Sequence, residues 1–385
     1  MNTHCVSVKR FLLVLLALIL TSCGGGSSQQ GDPVEKSLVV MGDLQIGAPN
    51  WQATQPENSS STNIPQLERT VLDIAALPQK PDYSFILGDL VVGFVLDNGQ
   101  VLQTQLDAWI AAFQGFSGSA GINVVPLPGN HEMDYYDATQ NDQAPNPVSY
   151  LVWNNWIATN EQLFPFQANG PKPGGANPDQ LVQDESHYTF SFDWGAVHVV
   201  AINTDTLTTA INPATGLVYQ GWIPINWITA DLEEAQANPA ISAILIMGHR
   251  PIEVPPLVPP LSSYGTTMLD LNAYPLASEF AAVLQRTPKA KAYFCSHVHL
   301  VDARKLTAAP HVWQVVSGNG GAELISNWSP TGGQFFGFSE VRLHRSGHLS
   351  VAAYGRALPP PPQEFYLGIP VAPALAVERQ VVELE

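Results

Sequence analysis

Cysteine is nearly absent: the 385 residues contain three, at positions 5, 23 and 295. Two of them lie at the extreme N-terminus, so a disulfide framework is not expected and stability must come from a packed core. Basic residues are also scarce, with 16 Lys and Arg against 33 Asp and Glu and a formal charge of −17. A chain this acidic repels a polyphosphate backbone, which argues against a nucleic-acid duplex or a long RNA as partner. A bound metal could still create a local cationic site. Charged residues make up only 13% and apolar residues 45%, the composition of a globular chain and not of a disordered one. The length suffices for one large domain or two ordinary ones.

The N-terminus is not expected to belong to the fold. Lys9-Arg10 precede the apolar run FLLVLLALIL (11–20), which has the layout of a secretory signal and is too short for a comfortable membrane span. The run ends in LTSC (20–23), which resembles a bacterial lipobox. Residues 1–22 are then a signal peptide and Cys23 the lipidated residue. Residues 23–36, with GGGSSQQGD after the cysteine, form a flexible tether. An ordinary cleaved signal with a chance cysteine is the alternative. Gly24 after the cysteine favours the outer membrane over inner-membrane retention, so the expected location is the bacterial cell envelope, lipid-anchored. Loss of Lys9 and Arg10 takes the formal charge from −17 to −19. Cys295 remains as the single other thiol and reads as buried and inert.

From residue 37 to 356 strand-like runs alternate with helical patterns. SLVVMGD (37–43), YSFILGD (83–89) and INVVPLPGNHE (122–132) end apolar runs in Gly-Asp or Gly-Asn-His. Between them, IPQLERTVLDIAAL (64–77) and VLQTQLDAWIAAFQGF (101–116) carry helical periodicity, with Asn63 and Gln66 suiting a helix start. This βαβαβ rhythm predicts an α/β fold with parallel strand pairs. The second half is richer in strands, including a hairpin around Trp194-Gly195. The segment 133–186 is too long for an idle connection. Its rings (Tyr135, Tyr136, Tyr150, Trp153, Trp156) build either a small core of the insertion or a lid beside a site. Residues 357–385, opening with LPPPPQ, read as a Pro-rich C-terminal tail.

Polar residues of metal-ligating type recur at the ends of the strand-like runs: Asp43, Asp89, Asn130-His131, His249, and His297 with His299. Open α/β sheets place ligand sites outside the carboxyl ends of their strands, so all five segments would reach one rim. A lone Gly-Asp is more often a turn, and period-two alternation puts the two imidazoles of HVH on one side of a strand by chance. Five such pieces in one order are harder to ascribe to chance.

The order GDLQ (42–45), GDL (88–90), GNHE (129–132), GHR (248–250) and SHVH (296–299) resembles the calcineurin-like metallophosphoesterase superfamily. The resemblance implies a four-layer α/β/β/α sandwich, two mixed sheets flanked by helices, over residues 37–356. It implies a dinuclear centre of two divalent metal ions (Mn, Fe or Zn) and hydrolysis of phosphate mono- or diesters by a metal-bridging hydroxide. Residue by residue, Asp89 matches the bridging carboxylate. Asp43 and His299 match ligands of one metal, and Asn130, His249 and His297 those of the other. His131 matches the catalytic residue that contacts the phosphate and protonates the leaving oxygen. Asn130, His131 and Arg250 are candidates for substrate contact. For Arg250 a salt bridge within its loop is equally open, and for Glu132 a supporting role beside His131 or a solvated carboxylate.

Two departures stand out. Gln45 occupies a position where many relatives carry histidine, and is either a weak ligand or holds a water. Val92 stands where the purple acid phosphatase branch has tyrosine, so no purple Fe(III) centre is expected. The implied protein is an exported, membrane-anchored hydrolase of small phosphate esters. A metal-binding or scaffold lipoprotein that keeps the fold without turnover is the alternative. Seven acids and one base between Asp134 and Ser186 disfavour polyanionic substrates.

Overall fold

The computed structural model describes residues 32–47, 64–94, 99–137, 142–164, 167–213, 216–256, 276–322, 324–325, 333–356, 364–366, 369–371 and 376–385. The signal, Cys23, most of the tether and Asn63 lie outside them. Among the described residues, no helix is long and apolar enough to cross a membrane.

Two six-stranded sheets carry the fold. In the first, the strands β1 (Val34–Met41), β2 (Tyr83–Leu87) and β3 (Asn123–Leu127) run parallel. On the other side of β1, β12 (Gly337–His344), β13 (Leu349–Gly355) and β16 (Val377–Glu383) continue antiparallel. In the second sheet, β7 (Val197–Ala201), β8 (Ala243–Met247), β9 (Ala290–Cys295) and β11 (Trp313–Ser317) are parallel. The strands β6 (Phe190–Trp194) and β10 (Val301–Lys305) close its two edges antiparallel.

Alternation along the strands builds three apolar layers. Leu38, Val40, Phe85, Leu87, Val125 and Leu127 of the first sheet meet Val199, Leu245, Met247, Ala292 and Phe294 of the second. The opposite faces of the same strands point to helices. Val39, Met41, Ile86 and Val124 pack on the helices Ile64–Ala75 (α1), Gln100–Ala120 (α2) and Pro147–Thr159 (α4). Leu102, Leu106, Trp109 and Phe113 form the buried stripe of α2. On the other side Ile244, Ile246, Tyr293 and Cys295 pack on Ile225–Ala237 (α5) and Leu276–Gln285 (α6). This is the four-layer α/β/β/α sandwich.

Three readings are corrected. Tyr150, Trp153 and Trp156 belong neither to a separate core nor to a lid. They lie on α4, capped by Asn146 with Pro147 in its first turn, and belong to the main core, where Trp156 meets Trp109 edge-on and Trp153 packs against Trp156. The hairpin Asp134–Asp137 with Asp142–Pro145 (β4, β5) also went unread, because these four-residue strands carry no apolar alternation. The Pro-rich tail ends inside the sheet: β16 pairs with β13, and its charged, exposed side chains suit an edge strand.

Candidate metal centre

Every parallel strand that carries a candidate ligand ends at the same rim. Residues 42–45 leave β1, 88–94 leave β2, 129–132 leave β3, 248–250 leave β8 and 296–299 leave β9. Main-chain bonds tie the rim together: Ser296 N donates to His249 O (2.9 Å) within the second sheet, and Gly42 N to Ser317 O (2.9 Å) at the end of β11, across the two sheets.

The loops are strained where the ligands sit. Asp43 (φ 56°), Gln45 (φ 47°), Asp89 (φ 53°) and His297 (φ 67°) are four of the eight described non-glycine residues with positive φ. Such conformations are rare for residues with a Cβ, and strain concentrated in one place points to function. Position 129 must stay glycine for a related reason: a Cβ there would overlap Asp89 Oδ1. The HVH pair does not sit on a strand, since β9 ends at Cys295 and the backbone turns at His297. A turn, not period-two alternation, aims both imidazoles at the rim. It also separates them from Cys295, which lies buried in the outer core.

Four donor atoms converge at one point. His249 Nε2 lies 2.9 Å from Asn130 Oδ1, 3.1 Å from His297 Nδ1 and 3.2 Å from Asp89 Oδ1. His297 Nδ1 lies 2.9 Å from Asn130 Oδ1. His249 Nδ1 donates to Leu87 O (2.8 Å), with Ser296 Oγ 2.9 Å away. That bond leaves the Nε2 lone pair directed at the cluster, the usual way a ligating imidazole is oriented. Burial, then the Arg250 and His249 charges, push His297 well below the ordinary histidine range, so it stays a neutral donor.

A second set faces the first across Asp89. Asp43 is fully buried and neither of its carboxylate oxygens has a hydrogen-bond partner. His299 Nε2 lies 3.8 Å from Asp43 Oδ1. The Gln45 amide nitrogen is 3.4 Å from His299 Nε2 and 3.2 Å from His131 Nε2, leaving Oε1 buried without a partner. His131 Nε2 lies 3.7 Å from Asp89 Oδ2, the oxygen not engaged with His249. Burial and the Asp89 charge hold the Asp43 carboxyl well above its usual range. Burial would raise Asp89 as well, but His131 and His249 outweigh it and keep Asp89 ionised. Buried oxygens without donors, beside imidazoles with inward lone pairs, are what divalent cations satisfy. The residues present therefore fit two metal ions, with Asp89 offering one oxygen to each set.

Glu132 and Arg250 act from behind. Glu132 is fully buried, not solvated, and accepts the main-chain N–H of Gly129 (2.8 Å), Val91 (2.9 Å) and Asp89 (3.0 Å). It thereby ties the β2 loop to the β3 loop. Arg250 is fully buried too. Its Nε donates to Asp205 Oδ1 (2.7 Å) and its Nη2 lies 3.5 Å from Asp134 Oδ2. Of the two readings of Arg250, the structure shows the salt bridge, with the guanidinium buried away from solvent. His198 stands apart from the centre, bonded to Asp193 (2.7 Å) and Asp231 (3.0 Å).

Sequence reasoning gave no role to Ser296 and missed Asp205 altogether. Asp205 had one available signal, an acid four positions past the end of the apolar strand β7.

A family model described as calcineurin-like phosphoesterase matches residues 36–301. No curated protein matches the chain. Among solved structures, a dimetal phosphatase from Danio rerio is 12% identical, with 84% of this chain and 98% of that one covered at a TM-score of 0.51. The structure of PhoD is 10% identical, with 92% of this chain and 70% of that one covered at a TM-score of 0.53. At such identities the likeness is one of fold.

Proposed function

The chain belongs to the calcineurin-like phosphoesterase family, and from that premise we propose that it hydrolyses phosphate mono- or diesters with two divalent cations held at the rim. The observation that carries the proposal is the convergence of Asp89, Asn130, His249 and His297 beside a partnerless Asp43. Asp89 would serve both cations, Asn130, His249 and His297 one, and Asp43 and His299 the other, with Gln45 Oε1 a further donor. When bound, the cations supply positive charge for the phosphoryl oxygens and a water acidic enough to attack phosphorus at neutral pH.

The chain's own residues then do three things. The buried ligands fix where the phosphoryl group sits and exclude bulk water from it. Asp89 sets the spacing of the two halves. His131 delivers a proton: its Nδ1–H is held by Val92 O at 2.6 Å, so Nε2 is the nitrogen turned to the centre. Burial favours the neutral ring of His131, against the pull of the Asp89 charge and the Val92 bond; in its imidazolium form it would give the Nε2 proton to the departing oxygen and return to the neutral Nδ1–H form, still bonded to Val92. Carboxamide Gln45 in place of an imidazole makes this set harder, which favours Mn(II) or Fe(II) over Zn(II).

We also propose export and anchoring through Cys23, on the strength of the apolar run 11–20 and the LTSC sequence. Loss of acyl labelling and release from the membrane fraction in Cys23→Ala would test it. Hydrolysis is tested by metal analysis and by turnover of p-nitrophenyl phosphate and bis-p-nitrophenyl phosphate with added Mn(II). His131→Asn should lose about a hundredfold or more in kcat. A wild-type protein that takes up metal and turns over neither ester would favour the scaffold alternative.

A further inference from the structure

The loop that follows Asp89 does more than lead away from the centre. It wraps around His131 on three sides. Val92 O takes the Nδ1 proton (2.6 Å). Phe94 N donates to His131 O (2.9 Å). The Phe94 ring lies against the imidazole, with centroids 4.0 Å apart and planes at 46°. Between them Gly93 (φ 55°) touches the His131 main chain so closely that a Cβ would overlap its carbonyl oxygen. Phe94 itself adopts φ 54°, a conformation a phenylalanine rarely takes unless its surroundings impose it.

The wrap has an anchor in the helix layer. Gln105 of α2 is buried at 5% exposure, and its Oε1 accepts the Gly93 N–H at 2.9 Å. It lies between Leu102, Leu106 and Trp109 on the apolar stripe, where a carboxamide costs stability unless its bond is needed. We infer that Gln105 and Phe94 are positioning residues, which hold Val92–Phe94 as a clamp that orients His131 toward the leaving oxygen. Neither touches the reacting atoms. The inference rests on the phosphoesterase reading above and adds the parts that aim its proton donor.

The chemistry sets a readout that a purely structural role would not move. A clamp that aims the proton donor matters most when the leaving oxygen needs the proton. Phenol is a poorer leaving group than p-nitrophenol. Loosening the clamp in Gln105→Leu or Phe94→Leu should therefore lower kcat for phenyl phosphate about tenfold more than for p-nitrophenyl phosphate. KM and bound metal should stay near wild type, and Phe94→Tyr, which keeps the ring, should restore the ratio. Equal losses on both esters in Phe94→Leu and Gln105→Leu would overturn the clamp while leaving the phosphoesterase reading intact. So would loss of bound metal in proportion to activity. Absence of turnover of any ester by Mn(II)-loaded wild type would overturn both.

Discussion

Glu132 offers a test of what holds the centre together. Its carboxylate is buried and accepts three main-chain N–H groups, from Asp89, Val91 and Gly129. Two effects compete there. Burial and the nearby Asp89 charge push its carboxyl well above the usual range, while the three donors pull it down. Burial and Asp89 win that competition, yet the three bonds remain: Glu132→Ala strands three buried N–H groups at about 1–3 kcal/mol each, part of which an entering water recovers. Three such groups cost about 3–9 kcal/mol before that recovery, so the expected loss is about 3 kcal/mol, against a total stability of about 5–15 kcal/mol for a typical domain. Glu132→Gln keeps one oxygen for the two donors that share Oε2 and turns an amide toward Val91 N–H. It should lose about 1.5–3 kcal/mol. Urea denaturation of the metal-free proteins should rank wild type above Gln and Gln above Ala. Bound metal should fall in the same order, because the two loops Glu132 joins carry Asp89 and Asn130. Glu132→Gln as stable as wild type, or more so, would refute the reasoning and show that the cost of the buried charge outweighs its three bonds.

Four further outcomes are expected. Metal uptake should expel the proton held on Asp43, so calorimetry in buffers of different ionisation heat should report proton release and affinity should rise with pH; uptake without protons would count against the carboxylate pair. Chelation should then remove about 2.7 kcal/mol of stability relative to protein in metal at a hundred times its Kd, read as a lower Tm. His198 is lowered by burial but raised more by Asp231 and Asp193. A raised pKa in the folded state means that its stabilisation is complete below about pH 6.5 and fades as pH rises through the folded value. His198→Gln should flatten that slope, an effect below about 1 kcal/mol because Asp193 is half exposed. Glu185 is pushed by burial to about 8 from 4.5. Its ionisation therefore costs stability progressively between those two pH values, and Glu185→Gln should gain a few kcal/mol at pH 9 and little at pH 4. An equal effect of this substitution at both pH values would show that the carboxyl ionises freely.

The parts of the centre legible in the sequence were those carried by one local rule. An apolar run that stops at Gly-Asp, Gly-Asn-His or Gly-His marks a strand reaching the rim, and Asp43, Asp89, Asn130, His131 and His249 were found that way. His297 and His299 were found by the right motif for the wrong geometric reason, since a turn and not a strand presents them. Arg250 shows the limit of local reading: the sequence places it beside a ligand histidine, but its partners Asp205 and Asp134 are 45 and 116 positions away in sequence. Short strands such as β4 and β5 lack the alternation that local reading needs, and β16 is defined by its neighbour β13 more than by its own residues.

By itself the sequence determined the α/β alternation, the apolar layers and the chemical kind of each rim residue, because side-chain type and spacing act over a few residues. Only the tertiary structure decided that Val92 contributes a carbonyl and not a side chain to His131, that Glu132 joins two loops, and that Gln105 anchors one of them. Those roles belong to main-chain atoms and to partners far apart in the chain. Every residue carries the same N–H and C=O, so no residue name announces them until the two sheets bring the loops together.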